Sequence, residues 1–250
     1  MIRGLLILLI VVSYAAPLHA QDDDDYRLNR RDRSGGIVGG GGGIVPTWLF
    51  LDASRLNSEL SDKGLPTVGE QGLFLFGGHG HAYIMFIPNL RIGGMGMGGS
   101  METRRDQGGL YQSTKLDIGV GGMTIEYVIP FGAFHIALGG LIGGGRYSLT
   151  LTQTDNTGKT WGTLFPETPL AAVDSRHELV NSFLALQPTL TMEYELHPFI
   201  VLGLVAGYFA TAGESWKLDD NFEISEMPDF KMNGAFARLQ LTMGLFLSDR

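Results

Sequence analysis

The chain has 250 residues, a formal net charge of −8, 37 glycines and no cysteine. Its length suits one or two domains, and the lack of cysteine excludes a disulfide framework and a thiolate metal site. The acidic balance argues against nucleic acid as a partner, because a phosphate backbone recruits basic surfaces. Charged residues make up only 18% of the chain and the mean hydropathy is +0.10, a composition that suits a β-structure whose outer face meets lipid.

The first 20 residues have the pattern of a secretory signal peptide. Arg3 supplies the positive charge, and residues 4–16 form an apolar run too short to span a bilayer. Ala20 is the expected cleavage position. An uncleaved N-terminal anchor is the alternative.

A charged tail follows at residues 21–34, where an acidic run precedes a cluster of arginines. This composition is typical of a solvated, flexible terminus. The remaining residues, 35–250, form the predicted folded domain.

One hairpin pattern occurs twice in this domain. Residues 122–145 and 190–213 each contain Thr-x-Glu-Tyr or a close variant, then a short segment with a proline, then an apolar return segment spaced by glycines. A weaker copy occupies residues 82–101. Connections this short join antiparallel strands, so the repeat predicts an up-and-down β-structure.

The domain divides into eight predicted strands with connections of alternating length. Short connections are expected near Pro88, Pro130 and Pro198. The first long connection also has the signals of a short helix that starts after Asp52 or Ser54. The predicted strands are 36–50, 71–87, 90–104, 110–129, 133–153, 181–196, 199–212 and 233–248, and the long polar connections are 51–70, 154–180 and 213–232.

Alternation along the strands predicts an apolar face long enough to cross a bilayer. In the strand at 181–196, leucines and Met192 share one face while threonines and glutamates share the other. Tyr83, Tyr127 and Tyr194 each stand just before a short connection. We therefore predict that these three tyrosines lie at the membrane interface, where aromatic residues form a girdle.

With these features, residues 35–250 resemble the small bacterial outer-membrane β-barrel class, although no specific family is indicated. The resemblance implies an all-β, eight-stranded antiparallel up-and-down transmembrane β-barrel with short periplasmic turns and long outer loops. It also implies outer-membrane lipid as the surrounding partner. The chain departs from the class in ending with LSDR rather than with the terminal aromatic residue found in many members.

Charged residues on the predicted inward face suggest an ion network in the lumen. Glu126 and Glu193 hold equivalent places in the repeated hairpin, and Arg91, His135 and Glu195 are expected at a similar depth. Acidic and basic groups inside a closed barrel normally pair with each other. A ligand or proton path is the alternative interpretation.

Two more arginines are predicted to join this network. The apolar face changes parity near Gly121–Gly122 and Gly143–Gly145, so we expect a β-bulge at each place. Nearer the long connections we expect Asp117 and Lys115 to point inward together with Arg146 and Arg238. The predicted lumen network is therefore Glu126, Glu193, Arg146 and Arg238.

His79 and His81 are the candidates for a metal site. Their parity predicts that both point inward, opposite Gly98 and Gly96 across the turn near Pro88. Two histidines at i and i+2 on a strand could chelate zinc or copper with a carboxylate from elsewhere. Because no third ligand stands at a diagnostic spacing, we expect hydrogen bonding in the lumen rather than a bound metal, and we predict no cofactor.

The leading hypothesis from the sequence is a non-enzymatic protein with a structural or surface-binding role. An eight-stranded barrel is just wide enough for side chains to fill it, which argues against a wide pore. An extracellular ligand would bind at the three long loops, which carry four large apolar side chains for contact: Trp161, Phe165, Trp216 and Phe222. A narrow channel for small solutes and a soluble periplasmic ligand-binding barrel are the alternatives.

Overall fold

The computed structural model describes residues 37–69, 71–155, 175–218, 222–224 and 233–248. The predicted signal peptide at 1–20 and the charged tail at 21–34 lie outside the described residues, as does most of the 154–180 connection.

The described chain is almost entirely β-structure. One helix, α1, spans Ser54–Asp62, and among the described residues no helix is long and apolar enough to cross a membrane. The strands are β1 (Ile37–Ile44), β2 (Thr47–Leu51), β3 (Leu73–Tyr83), β4 (Leu90–Gln107), β5 (Leu110–Phe131), β6 (Phe134–Asp155), β7 (Ser175–His197), β8 (Ile200–Leu218), β9 (Phe222–Glu223) and β10 (Gly234–Ser248).

The strands form a ring of eight, which confirms the fold predicted from the sequence. Each strand from β3 to β8 pairs antiparallel with the next, and β8 also pairs with β10. Strand β10 pairs with β1 and β2, and both of these pair with β3. β1 and β2 act as one strand interrupted at Val45 and Pro46, since proline cannot donate a ladder hydrogen bond.

Two turns are tighter than the sequence predicted, whereas the connection at 84–89 is longer than predicted. β4 and β5 are joined by Gly108 and Gly109 alone, with φ angles of 63° and 80°, as a two-residue type I′ turn requires. Pro130 lies within β5 rather than in a turn, and the chain reverses at Gly132 and Ala133 instead.

Five neighbouring strands, β4 to β8, are longer than a membrane crossing needs, and the excess is largest in β5, β6 and β7. β5 and β6 each have 22 residues and β7 has 23, whereas a tilted transmembrane strand needs about 9–11. The excess lies at the end with the long connections. We call this part, residues 100–107, 110–117, 146–155 and 175–182, the extended sheet.

A belt of apolar side chains covers the outside of the ring between the short turns and the extended sheet. At the short-turn end its exposed aromatic residues are Tyr127, Phe131, Phe134, Tyr194 and Phe199, and at the other end they are Trp48, Phe50, Phe74, Phe76 and Tyr208. Between these two girdles the outward side chains are aliphatic, as in Leu138, Ile142, Leu186, Leu190, Leu204 and Leu239. Two aromatic girdles around an apolar band are the surface pattern of a transmembrane barrel.

The interior at the long-connection end is filled by apolar side chains. Leu116, Leu149, Tyr147 and Phe183 from the strands belong to one buried cluster. The 51–70 connection adds to it, because Leu56, Leu60 and Val68 are also buried there. We call these three side chains the plug.

Hydrogen bonds hold the plug in place. Asp52 Oδ1 accepts from the backbone N–H of Ser54 at 3.1 Å at the start of α1. On the buried side of the helix, Asn57 exchanges two bonds with Val68: Nδ2 donates to the carbonyl oxygen at 3.1 Å, and Oδ1 accepts from the N–H at 2.8 Å. The predicted helix is thus present, and it closes the mouth instead of standing in solvent.

Two inward glycines give aromatic rings room in this interior. A Cβ atom at Gly145 would lie 2.5 Å from Phe183, and one at Gly207 would lie 2.6 Å from Phe236. In both cases the aromatic residue is the direct cross-strand partner of the glycine. The rings therefore lie flat against the wall and fill the lumen.

Candidate functional site: the barrel lumen

On the short-turn side of the apolar cluster, the lumen contains a buried ion network centred on Arg91. Arg91 Nε donates to Glu126 Oε2 at 2.9 Å, while Nη1 and Nη2 donate to the two oxygens of Glu193 at 3.0 and 2.7 Å. Thr191 also donates to Glu126, at 3.4 Å. The Arg91 side chain is 1% exposed, so one guanidinium satisfies two carboxylates away from water. The two glutamates of the repeated hairpins thus meet at one cation.

A second polar pair lies nearer the short turns. His135 Nε2 is 3.7 Å from Glu195 Oε1 and 3.2 Å from the carbonyl oxygen of Gly132. The His135 side chain is buried, and the Glu195 side chain is 13% exposed. The depth expected for His135 and Glu195 from the sequence therefore matches their place in the structure.

Arg238 is buried nearer the long-connection end of the lumen, and its guanidinium binds neutral groups. Its Nε donates to Thr47 Oγ1 at 3.1 Å, and Nη2 donates to Gln187 Oε1 at 3.0 Å. Its guanidinium carbon also lies 4.8 Å from the centre of the Phe236 ring, close enough for a cation–π contact. In the described part of the chain, no carboxylate comes within 4.0 Å of Arg238 to make the ion pair that the sequence predicted.

Arg146 was predicted in the lumen, and this prediction is wrong. The pairing of β6 with β5 and with β7 runs without a register shift through Gly143–Gly145. Without a bulge, strict alternation places Arg146 on the outer face, where it is exposed. Lys115 and Asp117 were also predicted to point inward, but they lie on the outer face of neighbouring β5 and form an ion pair at 2.9 Å. Charged residues thus begin on the outside where the apolar belt ends.

Tyr83 was predicted at the membrane interface, and this prediction is also wrong. It has the same parity as His81, points inward, and is only 8% exposed. There it packs with Val128, Ala137 and Phe246 at the short-turn end of the lumen. Tyr127 and Tyr194 lie on the outer face and are about half exposed.

His79 and His81 point inward, but opposite other residues than the sequence predicted. His79 pairs with Met95 and His81 with Gly93, not with Gly98 and Gly96. The hairpin reverses around residue 87 in the segment 84–89, which shifts the register by three residues from the predicted one. A glycine opposite His81 still provides room, because a Cβ atom at Gly93 would lie 2.9 Å from the His81 Cβ.

The two imidazole rings are stacked but differ in their hydrogen bonds. Their centroids are 5.6 Å apart with an interplanar angle of 27°. His79 Nε2 lies 3.1 Å from Thr242 Oγ1. Both ring nitrogens of His81 are buried without a hydrogen-bond partner, an unusual state for a buried polar group.

Two small cavities meet at His81. One has about 20 Å³ of space for the centre of a water molecule and is lined by His79, His81, Met95, Thr124, Glu126, Gly140, Leu141, Thr189, Arg238 and Gln240. The other has about 10 Å³ and is lined by His81, Tyr83, Arg91, His135, Glu193, Glu195, Val201, Thr242 and Phe246. Each has room for about one water molecule or an ion of that size.

Of the four apolar side chains predicted to contact a ligand at the long connections, the structure describes two, and one of these is buried. Trp216 lies in β8 and is buried in the apolar cluster, whereas Phe222 is 67% exposed. Trp161 and Phe165 lie outside the described residues.

Charged residues of the extended sheet pair on its surface. Arg104 donates two hydrogen bonds to Glu102, at 2.9 and 2.6 Å, and these bonds hold the pKa of the Glu102 carboxyl below its usual value. Among the described residues, no three His, Asp or Glu side chains are grouped so as to hold a metal ion.

Comparison with known proteins yields similarities of fold at low identity. A major outer membrane protein from Thermus thermophilus is similar with a TM-score of 0.41 and 11% identity, over 83% of this chain and 99% of that one. The attachment invasion locus protein Ail of Yersinia pestis, in complex with the heparin analogue sucrose octasulfate, is similar with a TM-score of 0.37 and 12% identity, over 85% and 99%. The outer membrane protease OmpT from Escherichia coli follows with 0.31 and 11%, over 86% and 96%.

No family model matches the chain, and no curated protein matches it. The similarities to solved structures concern the fold, point to no specific family and carry no information about ligand or activity.

Proposed function

We propose that this protein is a non-conducting barrel of the bacterial outer membrane, with a structural or binding role at the cell surface and no enzymatic activity. The observation that carries the proposal is the apolar closure of the lumen. Leu56 and Leu60 of the plug are each 3% exposed and pack against strand residues such as Leu116 and Leu149. A wall-to-wall apolar layer leaves no path for hydrated solutes through this part of the barrel.

The outer surface supports a membrane location. Apolar side chains that are 40–60% exposed recur along the outer face, including Leu190, Leu204 and Leu239. In water such a surface would promote association, whereas in lipid it is the required surface. This disfavours a soluble periplasmic barrel.

The lumen disfavours the narrow-channel alternative. Its polar part ends at the apolar cluster on one side, and Glu126 and Glu193 are both bound to Arg91. The two cavities at His81 each have room for about one water molecule. A channel for small solutes would require both the apolar cluster and the Arg91 network to rearrange.

The extended sheet supports a binding role at the surface. It continues β4 to β7 past the apolar belt and presents charges of both signs on its outer face, among them the pairs Glu102–Arg104 and Lys115–Asp117. Both pairs are partly exposed. We propose that an extracellular ligand is bound by this sheet and by the connections at 51–70, 154–180 and 213–232.

Conductance tests the closure. Purified barrel reconstituted into planar bilayers is expected to give no steady current, because the apolar cluster and the Arg91 network block the lumen in series. A wide porin inserted under the same conditions is the positive control. Stable openings of nanosiemens scale from the monomer would contradict the proposal and make transport the leading function.

The orientation can be tested by single-cysteine labelling, since the chain has no native cysteine. We expect Arg176→Cys, exposed at the extended sheet, to react with a membrane-impermeant maleimide in intact cells. Phe86 lies in a short turn and is 84% exposed. Phe86→Cys is expected to react only after the outer membrane is permeabilised. The reverse labelling pattern would invert the topology.

A further inference from the structure

We propose that His79, His81 and Met95 form a site for a soft monovalent metal ion, Cu(I) or its analogue Ag(I), inside the barrel. All three side chains line the same small cavity in the middle of the lumen.

The backbone places the three residues as a metal site requires. His79 and His81 are two residues apart on β3, so both project from the same face. Met95 is the direct cross-strand partner of His79 on β4, and direct partners have Cβ atoms about 4.5–5.5 Å apart. Two ligands from one strand and one from its neighbour thus point into one cavity.

His81 supplies a ring nitrogen that is available to bind a metal ion. The residue is 9% exposed, and neither ring nitrogen has a hydrogen-bond partner. A buried imidazole normally satisfies at least one nitrogen. A metal ion in the adjoining cavity would use the lone pair of the deprotonated nitrogen, and a metal-binding histidine is commonly oriented by a partner on its other nitrogen. His79 has such a partner in Thr242, at 3.1 Å.

The chemistry of the ligands selects the metal. A thioether is a soft ligand that favours Cu(I), while imidazole suits copper and zinc alike. The lumen charge favours a monovalent ion. Three carboxylates, Glu126, Glu193 and Glu195, and two guanidinium groups, Arg91 and Arg238, line the two cavities that His81 shares. The formal charges of these five groups sum to −1, and one Cu(I) ion neutralises it.

The route to the site runs from the short-turn end. The apolar cluster with the plug closes the other end. The second cavity, which His81 shares, lies between the first and the short turns and is lined by the polar side chains of Tyr83, His135 and Glu195. An ion would pass this polar cavity to reach His81.

The test measures Cu(I) binding to the folded full-length barrel in detergent under reducing conditions, by competition with a chromophoric Cu(I) chelator. We expect one Cu(I) per barrel. His81→Ala is expected to weaken binding by on the order of 100-fold or more. X-ray absorption is expected to show a sulfur neighbour of the copper that disappears in Met95→Leu, a substitution that conserves side-chain volume.

Met97→Leu is the matched control, because Met97 is a buried neighbour on β4 whose sulfur lies 4.0 Å from Arg238 Nη2 and outside the cavity lining. It is expected to leave affinity and the sulfur signal unchanged. Heat-modifiable gel mobility verifies that each variant is folded. Cu(I) binding that survives His79→Ala/His81→Ala, equal effects of the two methionine variants, or tighter binding of Zn(II) than of Cu(I) would each overturn the proposal.

Discussion

Replacing Arg91 with leucine is expected to lower the free energy of unfolding by about 3–5 kcal/mol, the usual cost of removing one partner of a buried ion pair. The guanidinium binds Glu126 and Glu193 at 2.7–3.0 Å and is 1% exposed. Without it, two carboxylates stay buried with no counter-ion in contact. Urea titration of the barrel in lipid vesicles, followed by tryptophan fluorescence, measures the change.

Arg104→Leu is the control for this prediction. Arg104 also binds a glutamate through two hydrogen bonds, at 2.6 and 2.9 Å, but its side chain is 65% exposed. Exposed pairs contribute about 0–1 kcal/mol, so this variant should unfold almost like the native protein. Adding Glu126→Gln and Glu193→Gln to Arg91→Leu should recover part of the lost stability. Equal small losses for Arg91→Leu and Arg104→Leu would mean that the lumen is hydrated and the network is not buried.

The sequence predicted the strands and their faces best where large side chains alternate with polar ones. In β7, leucines alternate with Gln187, Thr189 and Thr191, so the residue types alone indicate which face is outside. The long apolar sets and the short connections then suffice to predict an eight-stranded antiparallel ring. The helix in the 51–70 connection was predictable from Asp52 and Gly64, but its burial was not, since packing on a ring mouth leaves no local signal.

Glycine accounts for most of the errors. A glycine fits either face, so the run Gly143–Gly145 did not reveal that alternation continues unbroken through it, and Arg146 was placed inward. β4 begins Leu-Arg-Ile-Gly-Gly-Met-Gly-Met, which fits several registers against β3 equally well. The predicted register was three residues off. That error hid Met95, which only the true pairing places opposite His79.

Tyr83 shows a different limit of the sequence. An aromatic residue before a short turn suits an interfacial girdle, and Tyr127 and Tyr194 do lie on the outer face. The distinction lies in parity rather than in position along the strand. Tyr83 is two residues from His81 and four from His79, so it shares their inward face and packs with Phe246 inside the lumen.

Leu190→Arg is expected to cost about 2–4 kcal/mol of folding free energy, the range for arginine on the lipid face at the bilayer midplane. Leu190 lies on the outer face of β7 and is 46% exposed. On that face, Leu184 and Leu186 precede it and Met192, Tyr194 and Leu196 follow it before the short turn, so it sits near the middle of the apolar belt. Folding titrations into lipid vesicles give the free energy.

Ser182→Arg is the matched control, because Ser182 is exposed on the same strand and pairs with Arg146 across the β6–β7 ladder. Lipid-face arginine costs only about 0–1 kcal/mol near the interface. The two variants introduce the same side chain on the same face, eight residues apart. Repulsion from Arg146 can only raise the cost of Ser182→Arg, so a smaller cost there than at Leu190 reports depth in the bilayer. Equal losses of folding free energy in Leu190→Arg and Ser182→Arg would show that the apolar belt does not span the membrane. A large difference fixes the boundary at the row where Arg146 stands, and leaves the extended sheet outside the membrane, where a ligand can reach it.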